Sequence, residues 1–80
     1  METKTTQDRV IDLISWRLNV PPTRIYPYTR LQDDLLLDAL DMMLLIVELE
    51  SRFNIFLTTE EVEGIETVQD ASFLFQKYAA

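Results

Sequence analysis

Residues 33–53 read Asp33-Asp34-Leu35-Leu36-Leu37-Asp38-Ala39-Leu40-Asp41-Met42-Met43-Leu44-Leu45-Ile46-Val47-Glu48-Leu49-Glu50-Ser51-Arg52-Phe53, and their periodicity decides the fold. From Ala39 onward this stretch has no Gly or Pro. Asp38 stands where a helix N-cap belongs, its carboxylate able to accept from the N–H groups of the first turn. Asp41 adds negative charge near the positive end of the helix dipole, so a helix is predicted to start at about Ala39. Met42, Leu45, Ile46, Leu49 and Phe53 then fall on one stripe with the spacing of a core-facing surface. Leu40, Leu44 and Val47 lie on the other side, flanked by Asp41, Glu48 and Glu50. A chain this small can hardly surround a helix, so the second stripe is a candidate contact surface.

Working outward, Asn54-Ile55-Phe56-Leu57 is too short to form a sheet and reads as a connector whose Ile55 and Leu57 reach the core. Thr58 with Glu61 forms a capping-box pattern opening a short helix that Gly64 can close. Thr67 with Asp70 repeats the pattern for a last helix, with Val68, Ala71, Leu74, Phe75 and Tyr78 on its apolar face. Before the central helix, residues from about Thr6 to Asn19 form a first one, with Val10, Leu13, Ile14 and Leu18 inward. Ile11 and Trp16 fall off that stripe and are read as covering loop residues. Val20-Pro21-Pro22 is expected to end this helix. The long connection to Asp38 must be disordered or pinned by its own side chains, and Ile25, Tyr26, Tyr28, Leu31, Leu35 and Leu37 are spaced to pin it. The reading is all-α: one domain over residues 1–80, with four helices, a long loop between the first two and a short third.

Composition narrows the chemistry. With no Cys there is no disulfide, thiolate nucleophile or Cys-based metal site, and with no His the commonest general base and metal ligand is gone. The acids Asp33, Asp34, Asp38, Asp41, Glu48 and Glu50 lack the loop order and central glycine of an EF-hand, so no metal site is read from them. They are read as capping, solvating and steering groups. Paired carboxylates do acid–base work only in a pocket that drives their pKa values apart, for which 80 residues offer little room; no enzyme is expected. A net charge of −7 argues against nucleic acid and anionic membrane and favours partners with basic patches. Nothing approaches the roughly 18 apolar residues of a membrane span, so a cytoplasmic location is expected.

Asp34-Leu35, then Asp38-Ala39-Leu40-Asp41, the helix ending Leu49-Glu50-x-x-Phe53, and Glu66-Thr67-Val68-Gln69-Asp70 resemble an acyl carrier protein across about Asp8 to Tyr78. The resemblance implies a freestanding, monomeric carrier whose attachment motif is Asp-Ser-Leu, with Asp38 and Leu40 flanking the attachment position. There a serine hydroxyl takes the 4′-phosphopantetheine arm of coenzyme A from a phosphopantetheinyl transferase. Ala39 occupies that position and has no oxygen, so this chain cannot be charged there. Ser15, Ser51 and Ser72 stand in no matching motif. Leu36 is a second departure, since the family usually has glycine just before the motif.

By the same resemblance, Asp38, Leu40, Asp41, Leu44, Val47, Glu48 and Glu50 form the surface that meets partner enzymes with basic or apolar docking patches, such as a ketosynthase of fatty-acid or polyketide synthesis. Leu44 stands where housekeeping carriers tend to have an acid, which points to a specialised partner. Met42, Met43 and Ile46 are read either as plain core packing or, by the resemblance, as lining of a space for the acyl chain. Two accounts of Ala39 stay open: a Ser→Ala substitution that holds a carrier in its apo form, or a naturally serine-less binding or regulatory subunit. A carrier of aminoacyl or peptidyl groups shares the fold.

Overall fold

The computed structural model describes residues 4–79. Four helices, α1 (Thr6–Leu18), α2 (Ala39–Phe53), α3 (Thr59–Glu63) and α4 (Val68–Tyr78), are joined by irregular segments and one 3₁₀ turn at Pro22–Arg24. Every α-helix opens on a reciprocal capping box: Thr5 with Asp8, Asp38 with Asp41, Thr58 with Glu61 and Thr67 with Asp70. Each box satisfies two N–H groups that a helix start leaves without partners, which fixes where each helix begins.

Helix α1 ends one residue earlier than read and α2 ends at Phe53 as read, both on an asparagine cap. Helix α1 stops at Leu18 before the prolines, because Asn19 takes a left-handed φ of 55° and its N–H returns to the Ser15 carbonyl. Asn54 does the same after Phe53, at φ 56° with its N–H on Glu50 O. Asparagine tolerates this conformation better than most residues. Gly64 does close α3, but at φ −84°, so no left-handed cap is involved.

Val10, Leu13 and Ile14 of α1, Leu45, Ile46 and Leu49 of α2, Ile65, and Val68, Ala71 and Phe75 of α4 form the core. Phe53 seals one end, its ring 5.1 Å from that of Phe75 and covered by the Arg9 guanidinium at 4.1 Å. The long loop is pinned, as expected, by Ile25, Leu31 and Leu37, with Leu35 packed against them. Its backbone is pinned too: the carbonyls of Thr29 and Pro27 accept the N–H groups of Val68 and Gln69, and Leu31 N–H reaches Glu66 O at 2.9 Å. Loop and helix start thus satisfy each other's polar groups.

Tyr26 and Tyr28 do not help to pin the loop. They are exposed and stack on one another, ring centroids 5.2 Å apart, because the turn at Pro27–Tyr28 faces them outward. Trp16 is likewise 70% exposed rather than laid over the loop, and Tyr78 projects from the end of α4 instead of joining its buried face.

Candidate functional site

The start of α2 is built by the residues just before it. Asp34 closes the preceding turn, its carboxylate accepting the Arg30 N–H at 2.8 Å. Leu36 then takes a φ of 58°, a left-handed conformation that β-carbon-bearing residues avoid, with its side chain 82% exposed. Leu37 turns back into the core. The chain therefore reaches Asp38 reversed and anchored, and Ala39 becomes the exposed first residue of the helix.

Asp38 Oδ1 accepts the Asp41 N–H at 2.8 Å, and Asp41 Oδ2 accepts the Asp38 N–H at 3.3 Å. To the dipole and partner-contact roles read for Asp41 from the sequence, the structure adds a hydrogen bond to the Asp38 N–H. Both carboxylates remain at the surface beside Ala39.

Along α2, Leu40, Leu44 and Val47 are exposed, Leu40 at 61%, and Met43 joins them. Glu48 lies half-buried between Arg17 at 3.4 Å and Arg52 at 3.7 Å. Glu50 faces the connector, where its Oε2 accepts the Leu57 N–H at 2.8 Å. Of the acids along this helix, Asp38 and Asp41 are thus the ones standing with Ala39, while Glu48 and Glu50 already have internal partners.

Ala39, Met42, Met43, Ile46, Val47 and Glu50 line one side of an open cleft of about 560 Å³. Leu57, Thr59, Val62, Glu63 and Ile65 line the other, with Gln32 at the loop end. Ile46 is buried beneath this cleft, Met42 half-buried and Met43 exposed at its edge. One wall is the short helix α3, whose contribution to this cleft was not legible from capping residues alone.

Glu61 of α3 uses both oxygens: Oε1 accepts the Thr58 N–H at 2.9 Å, and Oε2 accepts the hydroxyl of Tyr78. The Thr58 N–H and then the Tyr78 hydroxyl hold the Glu61 carboxyl below its ordinary pKa. The Tyr78 hydroxyl is pushed above its usual value by its bond to Glu61. The other serines offer no comparable exposed position at a helix start. Ser72 is buried and donates to Val68 O, Ser15 donates to Val20 O, and Ser51 lies in the C-terminal part of α2. Among the described residues, no group of three or more acids is arranged to hold a metal ion, and no helix is long and apolar enough to cross a membrane.

The family model described as "Phosphopantetheine attachment site" matches residues 8–72. The acyl carrier protein of Chlorobium phaeovibrioides is 40% identical over 65 residues, covering 81% of this chain and 83% of that protein. A solved structure from Mycobacterium tuberculosis superposes with a TM-score of 0.84 at 27% identity, over 92% of this chain and 99% of that one. The acyl carrier protein of Enterococcus faecalis gives a TM-score of 0.77 at 26% identity, over 90% and 91% of the two chains.

Proposed function

The chain belongs to the acyl carrier protein family, whose members are carriers and not enzymes, and from that premise we propose that its serine form carries acyl intermediates as thioesters on a phosphopantetheine arm. The observation that carries this reading is the position of residue 39, exposed at the start of a capped helix and on the lining of the largely apolar cleft between α2 and α3. The chain as written does not fit the prosthetic group, because the Ala39 methyl offers no oxygen to phosphorylate. We read Ala39 as a Ser→Ala substitution that locks the apo form, since the cap, the exposed position and the cleft of a working site surround it.

The cargo reading is an acyl chain of fatty-acid or polyketide type. Met42, Ile46, Val47, Leu57, Val62 and Ile65 support it over an aminoacyl or peptidyl group, which would gain little from an apolar lining. Partner enzymes are proposed to dock on Asp38, Leu40, Asp41, Leu44 and Val47, with Glu48 and Glu50 contributing charge from behind. We take residues 1–80 as one domain, monomeric alone and acting in the cytoplasm.

The test is intact mass of Ala39→Ser protein incubated with coenzyme A and a broad-specificity phosphopantetheinyl transferase, with the Ala39 chain as control. One arm gained by the serine form alone is the expected result. A folded serine form that gains none overturns it and favours the serine-less binding subunit. For that second reading the specific observation is Leu36, which puts an exposed leucine in a left-handed conformation three residues before the attachment position.

A further inference from the structure

Helix α3 stands between two clefts. On its α2 side lies the cleft of about 560 Å³ that reaches Ala39. On its α4 side a second, of about 450 Å³, is lined by Glu60, Glu61, Gly64, Asp70, Phe73 and Leu74. The helix has five residues, none fully buried, and Val62 is its hydrophobic side chain packed against the core, so packing alone holds it weakly.

The segment is fixed at its ends. Before α3, the Leu57 N–H is held by Glu50; after it, Ile65 is buried in the core. Between those points, among the described residues, the side-chain hydrogen bond from α3 to another helix is the one from the Tyr78 hydroxyl to Glu61. The same carboxylate closes the α3 capping box through Thr58, so the bond grips the helix at the group that organises its first turn. Val62 rests on the core between the two clefts, so this bond is the side-chain tie that holds α3 against α4, and α3 is a wall of the Ala39 cleft.

We propose that Tyr78 is a positioning residue that, acting through Glu61, fixes α3 and thereby sets the size of cargo the cleft accepts. The proposal rests on the reading of that cleft as the acyl site. Tyr78 touches neither the cleft nor the attachment position; its effect passes through the helix it holds.

The experiment compares Tyr78→Phe with the parent sequence in two steps. In the Ala39 chain, hydrogen exchange at the amides of residues 59–64 is expected to become several-fold faster, with α1 and α2 unchanged. No change there, or an equal rise in all four helices, overturns the tie. In the Ala39→Ser background, both sequences are then loaded with octanoyl or hexadecanoyl arms and their melting temperatures compared. Tyr78→Phe is expected to raise the stabilisation given by the longer chain relative to the shorter, a split that a merely structural loss would not produce. The same difference in both sequences overturns the cargo-size role. If neither chain shifts melting in either sequence, the cleft reading itself fails and the size role with it, while the exchange data still decide whether the tie exists.

Discussion

Asp38 and Asp41 hold each other across the first turn of α2, each carboxylate accepting the other's backbone N–H, at 2.8 and 3.3 Å. The pair therefore sets the start of the helix on which residue 39 sits, as well as carrying charge. Asp38→Ala is expected to cost about 1 kcal/mol, the usual worth of an N-cap, in urea unfolding. Asp38→Asn keeps a capping oxygen and should hold stability within a few tenths of a kcal/mol of the parent. If partner binding needs the charge, Asn weakens it without that loss of stability. Equal destabilisation by Ala and Asn would contradict the capping role.

Leu36 adopts φ 58° with no β-carbon relief, a conformation that costs a non-glycine residue roughly 1–2 kcal/mol. Glycine removes this strain but gives back about 0.4–1 kcal/mol through the greater freedom of the unfolded chain. Leu36→Gly should thus stabilise the protein by up to about 1.6 kcal/mol, read as a higher urea midpoint at unchanged slope. Leu36→Ala keeps the strain and should not gain. This finding also supplies a physical reason for the glycine that the resemblance leads one to expect here.

Most of the fold was legible because its signals are local. The capping boxes of α3 and α4 follow from Thr with an acid three residues on, and the inward stripes of α1, α2 and α4 follow from helical spacing, whereas the boxes of Thr5 with Asp8 and Asp38 with Asp41 came from the structure. What stayed hidden depends on backbone torsion or on distant partners. The asparagine caps at 19 and 54 have no pattern as strong as proline's, although Asn19 stands two residues before Pro21. The pairing of the loop carbonyls with the start of α4 joins residues nearly forty positions apart. At the site, the exposed stripe was readable from periodicity and Ala39 as the attachment position from the resemblance, whereas the roles of Glu50 on Leu57 and Glu61 on Tyr78 needed the tertiary fold.

Acid should loosen the α3–α4 region first. Asp70 lies below its ordinary pKa because the Glu66 N–H, and then Thr67, donate to its carboxylate, and Glu61 is lowered by Thr58 and Tyr78. A carboxyl depressed in the folded state contributes stability that is present above its unfolded pKa of about 4 and is lost as pH falls through the folded value. Urea midpoints between about pH 6 and pH 3 should therefore fall, and Asp70→Asn should flatten that fall while lowering the midpoint at neutral pH. An undiminished slope in Asp70→Asn would exclude this residue as a source. For Tyr78 the sign reverses: its pKa is raised, so its contribution is full below about 10 and is lost above the folded value.

The exposed stripe makes the last prediction. Leu40, Leu44 and Val47 present apolar surface on α2 beside the charges of Asp38 and Asp41, with Leu44 at 43% exposure and so already leaning on its neighbours. If a partner enzyme covers this stripe, burial at about 25 cal/mol per Å² drives much of the affinity, and salt should weaken binding only mildly. Leu44→Glu adds a charge at the middle of the stripe. It should lower affinity for a cognate ketosynthase about tenfold or more, since desolvating an unpaired carboxylate costs at least the roughly 1.4 kcal/mol that a factor of ten represents. Folding stability should change little, because the position faces solvent in the free protein. A partner that reads the surface through basic residues would respond the other way: Leu44→Glu would bind as well or better, and affinity would fall steeply with ionic strength. Self-association through the same patch would appear as a concentration-dependent sedimentation coefficient in the parent that Leu44→Glu abolishes. Surface plasmon resonance at two salt concentrations, with sedimentation of each protein alone, separates these three outcomes.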